Sequence, residues 1–128
     1  MTDSEKRLLS IDLCGRLPYG VKVRYMSIGE AMPQVWDLIG MPTAEHCDIL
    51  VPNERRFSAV PIQDVKPYLR PLKETYMTEA EAIYYNTVYT CLPFTEKVDW
   101  LNEHMFDYRK LIEQGLALQS PERMYDFV

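Results

Sequence analysis

Apolar and polar positions alternate legibly along the first half of the chain. Thr2 and Glu5 are spaced as a capping box, in which hydroxyl and carboxylate each satisfy a free backbone N–H. Leu9 and Leu13, beside Leu8 and Cys14, repeat at helical spacing behind it, predicting a first helix from about Asp3 to Cys14. Leu17-Pro18-Tyr19-Gly20 reads as a turn, after which Val21, Val23 and Tyr25 alternate with Lys22, Arg24 and Met26 as a half-buried strand does. From Gly29 to Ile62, short β-prone runs are separated by breakers: VWDLI before Gly40 and Pro42, CDILV before Pro52 and Asn53, and RFSAVPI after Arg55. Turn signals about ten residues apart leave no room for crossover helices, so three or four short antiparallel strands are expected between Val21 and Ile62. Pro61 belongs at a strand end or edge. Gln34 to Ile39 also fits a short helix, through Val35, Leu38 and Ile39.

The second half reads as helical. Lys66-Pro67-Tyr68-Leu69-Arg70-Pro71-Leu72 must be extended, because two prolines and their restricted predecessors exclude a helix; it reads as a connector strapped over the surface by Tyr68 and Leu69. Thr78 with Glu81 is a second capping box, and Pro93 should end that helix near Cys91 or Leu92. At 100° per residue, Ala80, Ile83, Tyr84, Thr87, Val88 and Cys91 share one face; Ala82, Tyr85, Tyr89 and Leu92 lie towards the other. A helix apolar on both sides is expected to be clasped between layers or covered by another chain, which makes Tyr85 and Tyr89 candidate partner-binding residues. Thr95 can cap a helix to about Met105, Asp107 another ending near Gly115, and Ser120-Pro121 a short last one. The fold class implied is α+β: a small antiparallel meander or barrel-like sheet over about 21–62, an N-terminal helix, and a C-terminal set of three or four helices. One domain over 1–128 is expected, with a β-rich part at about 17–65, the proline connector at 66–73 and a helical part at 78–125.

Composition narrows the functional classes. A chain of 128 residues, 47% hydrophobic, suits one self-sufficient core. The opening MTDSEKRLLS is charged rather than a leader, and no run of 18 apolar residues occurs, so a cytoplasmic protein without a membrane span is expected. Cys14, Cys47 and Cys91 are widely spaced and odd in number, which fits reduced thiols used as small core hydrophobes. Residues 1–73 hold 10 Lys+Arg against 9 Asp+Glu, net +1, whereas 74–128 hold 4 against 10, net −6. Such a chain, without a basic run, has little means of holding a nucleic-acid backbone.

Four segments, LCGRLPYGVK (13–22), KPYLRPL (66–72), MTEAE (77–81) and DWLNEHMFDYRKLIEQGLAL (99–118), resemble those of small proteins encoded by anaerobic gut bacteria and their phages or mobile elements. Those proteins carry His-His-Phe-Asp-Tyr-Arg-Gly where this chain has His104-Met105-Phe106-Asp107-Tyr108-Arg109-Lys110, so the paired histidine and the glycine are absent here. The resemblance implies a shared domain and a mobile-element origin, and brings no catalytic residues with it.

Candidate chemistry is sparse. Glu45-His46-Cys47 and His104, near Asp99, Glu103 and Asp107, hold the residue types of a thiol nucleophile with its base, or of a metal site. Nothing in the 58-position spacing between His46 and His104 requires them to meet, and His104 one turn after Trp100 has a sufficient role as a stacked helix-end residue. Glu96, Asp99, Glu103 and Asp107 could line one helix face as a metal-binding row, but such rows are usually solvated. No HExxH, GxSxG or P-loop is present. The reading is therefore of a binding or accessory protein acting through protein contacts or self-association, with no cofactor and no assigned catalytic residue. The alternative is a small hydrolase using a metal or His46, Cys47 and His104.

Overall fold

The computed structural model describes residues 1–25, 34–52 and 54–125. The sequence readings at Met26, at Gly29 and at Asn53 lie outside the described residues. Helix α1 (Asp3–Arg16) starts at the Thr2/Glu5 capping box, with both reciprocal bonds formed, and buries Leu9 and Leu13 completely. It tightens into a 3₁₀ turn, Leu17–Tyr19, that Gly20 closes at φ 79°, a left-handed value that glycine adopts without a Cβ clash. Strands β1 (Lys22–Tyr25), β2 (Gln34–Thr43), β3 (His46–Val51) and β4 (Arg55–Pro61) follow as an antiparallel series. The ambiguous stretch from Gln34 is thus strand rather than helix. Its alternation explains why: Trp36 and Leu38 are buried, while Val35 and Ile39 point outward.

The proline segment is more than a connector. Lys66–Pro71 is strand β5, paired antiparallel with β1 through Val23↔Pro67 and Arg24↔Lys66, and its Leu69 is fully buried. Pro67 lacks an N–H, but β5 still holds neighbours on both sides, since β6 (Phe106–Asp107) and β7 (Leu118–Gln119) run parallel to it. The result is an open sheet ordered β4-β3-β2-β1-β5-β6, with β7 also on β5, rather than a meander confined to 21–62. Its main core packs Leu9 and Leu13 of α1 against Val21, Val23, Trp36, Leu38, Ile49, Ile62 and Leu69.

The C-terminal set of three or four helices is not formed: among the described residues only α2 (Glu79–Asn86) and α3 (Phe94–Glu103) follow the sheet as α-helices. Helix α2 begins at Thr78 as its capping box predicts but stops at Asn86, short of Cys91. There Asn86 Nδ2 donates to the Ala82 carbonyl at 2.9 Å and Thr87 Oγ1 to that of Ile83 at 2.6 Å, side-chain bonds that compete with continuation of the helix. A 3₁₀ turn, Tyr89–Cys91, completes the run to Pro93, which itself caps α3 in place of Thr95. No helix starts at Asp107. Its carboxylate accepts from the Leu111 and Ile112 amides at 2.8 and 3.0 Å, yet Met105 and Lys110 take left-handed φ values of 60° and 58°, and the chain bends instead of coiling. After Ser120, whose N–H donates to the Leu69 carbonyl, Pro121 to Met124 makes a single turn, with Arg123 at φ 65°, so no last helix forms.

The assignment of faces on α2 is also corrected. Ile83 is 60% exposed and Val88 48%, so they belong to no core. Tyr84, Tyr85 and Tyr89 together turn towards Trp100. Three rings around one indole remove more apolar area from water than Ile83 could, and the helix rotates to place them there.

Candidate functional site

Two polar networks flank β6. In the first, Asp12 and Arg16 of α1 are both fully buried and joined by bonds of 2.8 and 3.1 Å. Arg16 Nη2 also donates to the Phe106 carbonyl at 2.7 Å, and Arg109 Nη1 donates to Asp12 at 2.9 Å and to the Tyr108 hydroxyl at 2.6 Å. Tyr108 in turn donates to Asn102 at 2.8 Å. Arg16 Nη1 has no hydrogen-bond acceptor among the described residues; its guanidinium carbon lies 5.3 Å from the centroid of the Tyr108 ring. The network pins α1 to the turn after β6.

In the second, Arg70 at the end of β5 grips Glu81 of α2 with two nitrogens, at 2.8 and 2.7 Å, and also donates to the His104 and Tyr76 carbonyls. Its guanidinium carbon sits 4.3 Å from the Phe106 ring centroid. His104 Nδ1 is 2.7 Å from Glu81 Oε2, and its ring lies against Trp100 at 4.7 Å. Burial would raise the Glu81 pKa. The bonds from Arg70, His104 and the Thr78 amide outweigh it and hold the carboxylate well below its usual range. Every oxygen of Glu81 is engaged, so the group serves as a strut and has no free edge with which to act as a base.

The structure does not assemble the remaining candidates. His46 and Cys47 are successive residues of β3 and point to opposite sheet faces; His46 Nδ1 meets Thr43 Oγ1 at 2.8 Å. Cys47 is fully buried, and that burial, with Asp48 and Asp64 nearby, pushes its thiol up to about 12, far from the thiolate a nucleophile needs. His104 lies beyond β2, β1 and β5 from β3. Of the three thiols only Cys47 is the core hydrophobe expected; Cys14 and Cys91 are exposed. Glu96, Asp99 and Glu103 are exposed on α3 while Asp107 is buried off the helix, so the acidic row does not form. No group of three His, Cys, Asp or Glu among the described residues is placed to hold a metal ion. No helix among them is long and apolar enough to cross a membrane.

Two surface features remain. A cleft of about 570 Å³ lies between Arg70–Pro71, the 75–78 segment and the chain from Gln119 to Tyr125. The second is the outer side of the α2–α3 unit. Tyr85 stacks on Tyr89 at 4.7 Å, and with Tyr84 they close on Trp100 at 5.4 to 6.0 Å. With the rings on that side, Ile83, Val88 and Phe94 project away from it, and Phe94 is 79% exposed. The sequence reading missed this ridge because it placed Ile83 and Val88 inside; the usable signal was Phe94 directly after a helix-starting proline. It also missed the Asp12–Arg16 pair, although an i, i+4 acid and base within one turn of Leu9 and Leu13 marks charge at a buried edge. The comparisons add no relative: no family model, no curated protein and no solved structure matches this chain.

Proposed function

We propose that this is a small cytoplasmic binding or accessory protein that works through protein contacts, of the mobile-element origin its recognisable segments suggest, and that the outer side of the α2–α3 unit is its contact surface. The observation that carries this reading is the exposure of Phe94, at 79%, and Ile83, at 60%, on a unit whose opposite side is fully stacked on Trp100. Large apolar side chains held out by a rigid support are what contact surfaces supply, because anchors ordered in advance lose little entropy on binding. Tyr85 and Tyr89, read from sequence as contact residues, then act as that support. Phe94→Ser and Ile83→Ser test the reading. Both variants should keep the wild-type melting curve, since exposed substitutions change stability by about 0.5 kcal/mol or less. Both should lose a partner that co-purifies stoichiometrically with wild type; a partner retained equally by both variants would move the contact surface elsewhere.

A further inference from the structure

Deepening the contact reading on which it rests, we infer that the partner of the α2–α3 ridge is a cationic segment: an apolar anchor flanked by lysine or arginine. The ridge is edged with carboxylates. Glu79 lies one turn before Ile83 on the outward face of α2, and Glu74 is fixed beside that face by accepting from Asn86 Nδ2 at 3.0 Å. Glu96 follows Phe94 by two residues, and Asp99 and Glu103 continue along the exposed side of α3. Five carboxylates between residues 74 and 103 are thus exposed, the sixth, Glu81, being bound by Arg70. The cation within that stretch, Lys97, is drawn over the Tyr89 ring, 5.4 Å from its centroid.

Charge complementarity decides between occupants. A second copy docked face to face would set this acidic edge against itself, and like charges at a rim oppose association and slow encounter. An acidic segment meets the same repulsion. A basic one gains steering at long range and screened pairing at the rim, while Phe94 and Ile83 supply the area that excludes water.

The experiment is selection of a random-segment display library on the wild-type protein, with counter-selection on the Phe94→Ser/Ile83→Ser double variant. Recovered segments should be enriched in Lys and Arg around an apolar residue. Their synthetic versions should bind Glu79→Gln/Glu96→Gln about tenfold more weakly at low salt, a difference that shrinks as the Debye length falls from about 10 Å at 0.1 M to about 3 Å at 1 M. Segments that need Phe94 and Ile83 but are neutral or acidic, or that ignore the glutamines, would overturn the cationic assignment and leave the contact reading standing. Failure to recover any segment dependent on Phe94 and Ile83 would overturn both. A wild-type dimer in sedimentation that Phe94→Ser converts to monomer would give the face to a second copy and also overturn the cationic assignment.

Discussion

The α1–sheet body and the α2–α3 unit solve the burial problem differently. In the body, sixteen hydrophobic residues form one buried cluster from α1 across to β5 and the 111–117 turn, and no single side chain dominates it. The α2–α3 unit has a satellite cluster of Trp100, Leu101 and Phe106, finished by half-buried tyrosines. One indole and one carboxylate therefore carry much of its attachment: Trp100 gathers the rings, and Glu81 ties α2 to β5 through Arg70. A body built on many small contacts tolerates loss at any one of them, whereas a unit hung on two groups concentrates its energy there and leaves its other side free for contact.

The largest expected effect lies in the body. Asp12→Ala leaves Arg16 charged, fully buried and without its partner, and should cost about 3–5 kcal/mol in urea melts. Replacing both residues, as Asp12→Leu/Arg16→Met, should recover most of that loss, because the penalty is for the orphaned charge rather than for the missing pair. A small effect of Asp12→Ala alone would mean that water reaches Arg16 and that the body is less closed than described.

Next comes the ring stack. Tyr85→Glu/Tyr89→Glu puts two charges beside Trp100 and removes ring pairs worth about 0.5–1.5 kcal/mol each, so roughly 2–3 kcal/mol is expected. The loss should be local: near-UV circular dichroism from the stacked rings should collapse while amide protection in β1–β3 persists. Loss of both together would show that the two regions are one cooperative unit and would remove the contrast drawn between them.

Acid should separate the regions as well. The folded-state pKa of Glu81 is depressed, so its contribution is fully present above the unfolded carboxylate value of about 4.3 and is lost as pH falls below it. Below about pH 4 the α2–α3 unit should loosen, reported by Trp100 fluorescence. Glu81→Gln should remove that pH dependence and lower stability at neutral pH, since it leaves Arg70 facing an amide. A transition in this range that persists unchanged in Glu81→Gln would assign it to other carboxylates.

The contrast also explains what was legible in the sequence. Strands β1–β4 and the start of α2 were readable because alternation and capping are local: Trp36 and Leu38 face in, and Thr78 bonds Glu81 three residues away. The strand role of 66–71 was hidden because its partners, β1 on one side and β6 and β7 on the other, lie far off in the chain. The Asp107 helix failed for a related reason. Its cap chemistry is present and used, but Phe106, Tyr108 and Arg109 are committed to Trp100, Asn102 and Asp12, and that tertiary demand overrides a local start signal. The recognisable segments carry the same lesson. Arg16 in the first, Arg70 in the second, Thr78 and Glu81 in the third, and Asn102 through Arg109 in the fourth are members of the two polar networks, so what marks the chain by eye is the framework that joins its parts.

The smallest effects form the sharpest pair. Thr78→Ala removes the hydroxyl that accepts from the Glu81 amide at 3.2 Å and should cost about 1 kcal/mol. Ile83→Ala, which would cost roughly 2–5 kcal/mol at a core position, should cost about 0.5 or less here, because the side chain is 60% exposed and alanine favours the helix. A polar cap on this helix should therefore outweigh its largest aliphatic residue, the reverse of what its apolar pattern suggests. Measured side by side in urea, the two variants test the rotation of α2 directly. If Ile83→Ala proves the costlier, then Ile83 is covered in solution, by a second copy or by a turn of the helix away from Trp100. Repeating the melts at several protein concentrations separates those cases, since only cover by a second copy makes the midpoint rise with concentration.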